Sequence, residues 1–311
     1  MELSEIEYEN FGRCIKITNG ILDCIVTIEC GPRIIHFGFT GEKNVFYTDL
    51  ERKYKHQTEN NTSVSVKNSV YYLYGGHRLQ ICQNHHTDLP DNLPVVYGVQ
   101  SEGVTFTPPQ PKQLAIQLSF EIIMGKEASD IMVVHTAKNC SRKTMIFSLF
   151  PATVLEGGGI AVIEQNQKTQ PGCPNRTINL WPETDINDSR IFYGNRFITV
   201  AQEKGNQTAL RIGTNNLPGW AAYAGNNFTF VKRIVPNPQA AYPDGGSYCE
   251  VSLTEDFAEL SSLSPMYEVK PGETIRHVEN LALYHSGKPP VFVNEDEIAK
   301  WTEETFQYET G

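Results

Sequence analysis

Short stretches rich in β-branched and aromatic residues, each closed by a turn signal, fill most of this chain and constrain its fold more than any other feature. Residues 13–18 and 21–29 are the first pair, joined through Asn19-Gly20, a strong hairpin signal. Gly31-Pro32 breaks the second strand, and Arg33-Ile34-Ile35-His36-Phe37-Gly38-Phe39 begins a third. The pattern recurs at 95–99, 103–107, 113–124 and 130–136. It continues at 145–150, 159–163, 197–200, 211–213, 220–224, 228–234, 247–253, 258–263 and 277–284. Strands so spaced predict antiparallel sheets packed as a sandwich rather than βαβ units. Only residues 294–307 read as a helix, with Asn294 as its cap and acidic residues in the first turn. No linker-like composition shift and no fixed-period repeat divides the 311 residues, so one large β domain with a helical tail is expected over 1–311.

Charge and cysteine usage narrow the function classes. A formal net charge of -10 argues against nucleic acid or an anionic membrane as partner, because a phosphate surface needs a basic face. No run of 18 apolar residues suggests a membrane helix, and the acidic start Met1-Glu2-Leu3-Ser4-Glu5 lacks a signal-peptide pattern. The seven cysteines are odd in number, scattered and never in a C-x-x-C pair. Free thiols and a cytoplasmic location are expected, with no structural zinc and no cofactor.

Candidate functional residues are dispersed, since the chain has no G-x-S-x-G elbow, phosphate-binding loop, H-E-x-x-H or dinucleotide fingerprint. The stretch Tyr71-Tyr72-Leu73-Tyr74-Gly75-Gly76-His77-Arg78 ends an aromatic run in a Gly-Gly turn. A titratable imidazole and a planar cation follow at once. Arg33 stands just after the Gly31-Pro32 kink, where a side chain can be aimed into a cleft. Trp220, beside Tyr223, could stack on the apolar face of a sugar or pack in the core. Lys232 and Arg233 close a strand, Asp244 lies in the turn Tyr242-Pro243-Asp244-Gly245-Gly246, and Glu250 and Glu259 sit among apolar strand residues. Such a carboxylate is either on a solvent face or paired within a site. Two polar loops, 51–68 and 84–94, flank the Gly-Gly stretch, and the second carries His85, His86 and Asp88 without a further metal ligand at suitable spacing.

Taken in order, Gly31-Pro32-Arg33, Gly75-Gly76-His77-Arg78-Leu79, Gly219-Trp220-Ala221-Ala222-Tyr223, Phe230-Val231-Lys232-Arg233, Tyr242-Pro243-Asp244-Gly245-Gly246 and Pro271-Gly272-Glu273-Thr274 carry a resemblance. Over about residues 8–285 the chain resembles a mainly bacterial family placed in the galactose mutarotase-like (aldose 1-epimerase-like) superfamily. The resemblance implies an all-β supersandwich with a carbohydrate site on the concave face of a large sheet. It also implies a general-base glutamate shortly before the Pro-Gly-Glu-Thr turn, a position that Glu259 matches. The stretch 146–155, where aldose epimerases carry a general-acid histidine, holds none.

Two function classes follow from the resemblance. In the first, the protein is of aldose 1-epimerase type. Glu259 would be the base and His77 the acid, with Arg33, Arg78, Trp220, Lys232, Arg233, Asp244 and Glu250 contacting a sugar or sugar acid. In the second it binds carbohydrate without catalysis. The two differ in whether Glu259 and His77 face each other across a sugar-sized gap.

Overall fold

The computed structural model describes residues 1–57, 69–83, 86–87, 89–110, 114–167, 172–286, 289 and 292–306. Most of the 51–68 loop, and the side chains of His85, His86 and Asp88, lie outside them. Two large antiparallel sheets face each other. From one edge the larger runs Glu2–Glu7, Arg13–Thr18, Leu22–Thr27, Ile34–Phe39, His77–Cys82, Met145–Glu156, Phe257–Ser262, Cys249–Leu253, Leu210–Thr214 and Ile178–Leu180. The smaller runs Ile191–Tyr193, Phe197–Ala201, Ile160–Glu164, Trp220–Ala224, Phe228–Arg233, Thr274–His285, Asp130–Asn139, Ile116–Met124, Gly103–Thr107 and Val96–Val99. The all-β supersandwich expected from the sequence is the fold observed.

Alternation along each strand decides what meets between the sheets. In the larger sheet Leu210, Ile212, Val251, Leu253, Ala258 and Leu260 point inward. Ile131, Val133, Phe230, Leu281 and Leu283 meet them from the smaller sheet, in one contiguous core. Residues out of phase with these stand on the outer face. Arg211, Glu250 and Glu259 are therefore directed outward by their apolar neighbours in sequence. The strand starting at Met145 runs on through Pro151 to Glu156, longer than the 145–150 read from sequence, and pairs with both His77–Cys82 and Phe257–Ser262.

The Gly75-Gly76 turn is a close approach of backbones. Both glycines have positive φ (97° and 70°), and a Cβ would overlap the Tyr47 carbonyl at Gly75 and the Ile34 carbonyl at Gly76. Helix Glu295–Phe306 is capped by Asn294, whose Oδ1 accepts from the Asp296 and Glu297 amides. It covers the outer face of the smaller sheet with Trp301 and Phe306. All seven cysteines are free thiols, five of them buried. No helix among the described residues is long and apolar enough to cross a membrane.

Candidate functional site on the outer face of the larger sheet

Three neighbouring strands build the floor of the site. Ala152 lies opposite Arg78 on one side and Ser261 on the other, and Glu250 lies opposite Ser261. One step along, Val154 is opposite Glu259, Glu259 opposite Ser252, and Ser252 opposite Arg211. Small side chains thus form the floor, and the charged ones rise from it. Arg78 Nη2 is 4.0 Å from Glu259 Oε2, and Ser261 Oγ donates to Glu259 Oε1 at 3.4 Å.

Arg78 and Glu259 open onto a cleft of about 390 Å³ whose aromatic walls are Tyr54, Tyr71 and Phe257. That volume is within the range of roughly 300–1,000 Å³ usual for small-molecule sites. The hairpin Lys55–Gln57 with Val70–Tyr72 forms one side, and the Arg78 guanidinium lies 4.9 Å from the Tyr71 ring centre. A second, mostly apolar cavity of about 360 Å³ opens where the pairing between Ile34–Phe39 and His77–Cys82 is reduced to Ile34 with His77. Arg78 lines both, and the first cleft is the stronger candidate because Arg78 there faces Glu259 among Tyr54, Tyr71 and Phe257, whereas the second is walled mainly by leucine and proline side chains.

At the other end of the floor, Arg211 donates to Glu250 Oε2 at 2.6 Å (Nη2) and 3.2 Å (Nε). Its guanidinium lies 4.1 Å from the Trp181 ring centre. Glu250 Oε1 and Asp244 Oδ2 are both buried and accept from no donor among the described residues. Two carboxylate oxygens cannot pair without a proton between them. Burial pushes the Glu250 carboxyl up to about 8. Arg211 opposes this and the adjacent Asp244 adds to it.

The sign of the resulting pH dependence is fixed. A carboxyl whose folded value exceeds its ordinary 4.5 contributes stability that is complete below 4.5 and is lost as pH rises through about 8. Thermal unfolding of wild type and Glu250→Gln between those limits should show the difference. The wild-type midpoint should fall relative to the variant as pH rises, and parallel curves would mean that Glu250 does not hold its proton.

His77 belongs elsewhere. It precedes Arg78 by one residue and so faces the opposite way, into the core, where it is fully buried. Its Nδ1 is 2.9 Å from Thr153 Oγ1 and its Nε2 is 3.3 Å from His135 Nε2 of the other sheet. The expectation that a single sugar ring lies between His77 and Glu259 is therefore corrected: the sheet separates them. Around His77 is a buried cluster centred on Glu279. Its Oε1 is 2.9 Å from Lys232 Nζ and accepts from Ser262 Oγ at 2.7 Å, while its Oε2 is 3.0 Å from His135 Nε2. Ser262 Oγ is 2.7 Å from His277 Nε2. Burial works to raise the Glu279 pKa. Lys232, the His135 hydrogen bond and His77 nevertheless hold it well below the usual carboxylate range. Burial lowers all three histidines, His277 to about 4.

The other expected ligand contacts divide in the same way. Lys232 is a core residue that also donates to the Pro151 carbonyl at 3.2 Å. Arg33 is fully buried and donates to the Leu73 and Tyr72 carbonyls and to Asp91 Oδ1, clamping loops together. Arg233 and Trp220 lie on the outer face of the smaller sheet beneath the helix. Arg233 donates to the Tyr284 hydroxyl at 3.1 Å, and Trp220 Nε1 donates to Glu164 at 2.6 Å with its ring against Phe306. Of the proposed set, Arg78, Glu259, Glu250 and Asp244 share the outer face of the larger sheet. Sequence reasoning missed Arg211. The signal was its antiphase position between the core residues Leu210 and Ile212.

Two facing antiparallel sheets of this size form a β-supersandwich. Solved structures bear this out. A galactose mutarotase-like protein from Lactobacillus casei superposes with a TM-score of 0.53 at 9% identity, over 87% of this chain and 100% of that one. A provisionally assigned aldose 1-epimerase from Klebsiella pneumoniae gives 0.57 at 8% identity, over 94% and 82%. A TPR-domain containing protein from Parabacteroides distasonis gives 0.60 at 12% identity, over 87% of this chain and 47% of that one. No family model and no curated protein matches the sequence. At such identities the likeness shows the fold.

Proposed function

We propose that the protein binds a sugar in the cleft at Arg78 and Glu259 and interconverts its anomers by acid–base chemistry of the aldose 1-epimerase type. The observation that carries this reading is the pairing of those two side chains at 4.0 Å, at the mouth of an aromatic-walled cleft. Glu259 takes the proton of the anomeric hydroxyl, and a proton delivered to the ring oxygen opens the ring; rotation and reclosure give the other anomer. With His77 turned into the core, solvent in the open cleft is the proton source, and Arg78 stabilises the charge that develops on the sugar oxygens. Free thiols throughout support a cytoplasmic setting.

Four cations converging on one cleft would favour a sugar acid, but of Arg33, Arg78, Lys232 and Arg233 only Arg78 lines this one. Arg78 faces Glu259, and Lys53 is paired with Glu255 and Asp256. That leaves the exposed Lys55 as a solvent-screened cation at the rim, so a neutral aldose is expected to bind about as tightly as its uronic acid. Calorimetric titration with matched aldoses and uronic acids, with polarimetry on the binders, tests both statements. No binding by any sugar would remove the carbohydrate reading. Much tighter, salt-sensitive binding of the acids would restore the cationic one. A second reading, binding without catalysis, is favoured by the inward orientation of His77. It predicts binders whose mutarotation is not accelerated.

A further inference from the structure

The cluster between the sheets contains a geometry that the cleft does not explain. His77 Nε2, His135 Nε2 and Glu279 Oε2 converge on one point, with separations of 3.3, 3.0 and 3.5 Å. All three side chains are fully buried. Ligands placed tetrahedrally at 2.0–2.1 Å from a zinc-like ion stand roughly 3.3 Å apart, so these atoms occupy three corners of such a site.

The surroundings of His77 and Glu279 fit as well, whereas His135 Nδ1, which carries the proton when Nε2 ligates, is buried with no hydrogen-bond partner among the described residues. With its proton on Nδ1, facing Thr153 Oγ1, His77 presents a free lone pair at Nε2. Lys232 and Ser262 hold Glu279 Oε1, which leaves Oε2 as a single ligating oxygen. Two imidazoles and a carboxylate suit a divalent ion of the zinc, cobalt or iron class. We propose that His77, His135 and Glu279 form a binding site for such an ion, held between the two sheets. The site is independent of the sugar cleft and of any activity there.

Protons alone could also satisfy the cluster, with each imidazole Nε2–H donating to Glu279 Oε2. Lys232 separates the two cases. Its ammonium stabilises the proton-only network, but it opposes a divalent cation a few ångströms away. Removing that charge should strengthen ion binding while weakening the network.

The full-length protein should be produced in cobalt- or zinc-supplemented medium, passed over chelating resin, and analysed for metal content and cobalt ligand-field absorption. The expected result is one ion per chain with a tetrahedral nitrogen–oxygen cobalt spectrum lacking thiolate charge transfer. The ion should be lost in His135→Leu and in the milder His135→Gln. It should be retained more firmly in Lys232→Met, and unchanged when His85, His86, Cys140 and Cys173 are all replaced. Absence of the ion from wild type overturns the proposal without recourse to any variant. So does metal content that survives folded His135→Gln, disappears when His85, His86, Cys140 and Cys173 are replaced, or falls in Lys232→Met.

Discussion

Replacing Glu279 with alanine is expected to lower the folding free energy by about 3–5 kcal/mol, the usual cost of stranding one partner of a buried ion pair. Glu279 is fully buried and gathers Lys232, Ser262 and His135 on its two oxygens. Alanine leaves the Lys232 ammonium, 3% exposed, with the Pro151 carbonyl as its remaining hydrogen-bond partner. Uncompensated charge in the core is the dominant cost, ahead of the lost packing. The same argument predicts strong non-additivity: adding Lys232→Met to Glu279→Ala removes the stranded charge and should recover much of the loss. Denaturant unfolding of the two single variants and the double variant measures this. A loss under about 1 kcal/mol for Glu279→Ala, or simple additivity in the double, would mean that the cluster is not an electrostatic unit.

Glu259→Gln is expected to leave fold and sugar binding intact while lowering mutarotation by about 10²–10⁴, the usual worth of a general base. The side chain is outward, only partly covered and in contact with Arg78 and Ser261, so an isosteric amide keeps the packing. What it loses is the ability to accept the anomeric proton. Polarimetry on a binding sugar reads the rate, and calorimetry reads the affinity. Unchanged rate with unchanged binding would move the base elsewhere, whereas loss of binding alone would make Glu259 a hydroxyl acceptor rather than a base.

The strands were legible because their alternation is nearly unbroken. The same alternation held more of the site than the motifs did. Glu259 is in antiphase with Ala258 and Leu260, and Glu250 with Cys249 and Val251, so both had to face away from the core. His77 and Arg78 are consecutive on one strand, so they could not both line one cleft. His277 and Glu279 are in phase with Ile275 and Leu281, and His135 with Val133 and Ala137, which marked all three as inward. What alternation cannot supply is which strands are neighbours. Arg33, Lys232 and Arg233 looked like ligand contacts because a long cation near a turn carries no local sign of whether a carbonyl, a buried carboxylate or a ring will claim it. The order that sets His77–Cys82 beside Met145–Glu156 and Phe257–Ser262 comes from pairings between distant parts of the chain.

That strand order fixes when a working cleft can exist during synthesis. Arg78, the floor residue Ala152 and Glu259 come from three strands separated by long stretches of sequence. Early hairpins such as Arg13–Thr18 with Leu22–Thr27 can close as soon as they emerge from the ribosome. The cleft cannot. Until the strand ending at Ser262 is available, a nascent chain lacks Glu259, and until Thr274–His285 follows, the smaller sheet lacks the strand that joins Phe228–Arg233 to Asp130–Asn139. A chain that stops short of His285 therefore lacks the assembled cleft, and stabilisation by a ligand bound there would reach only chains extended beyond that strand.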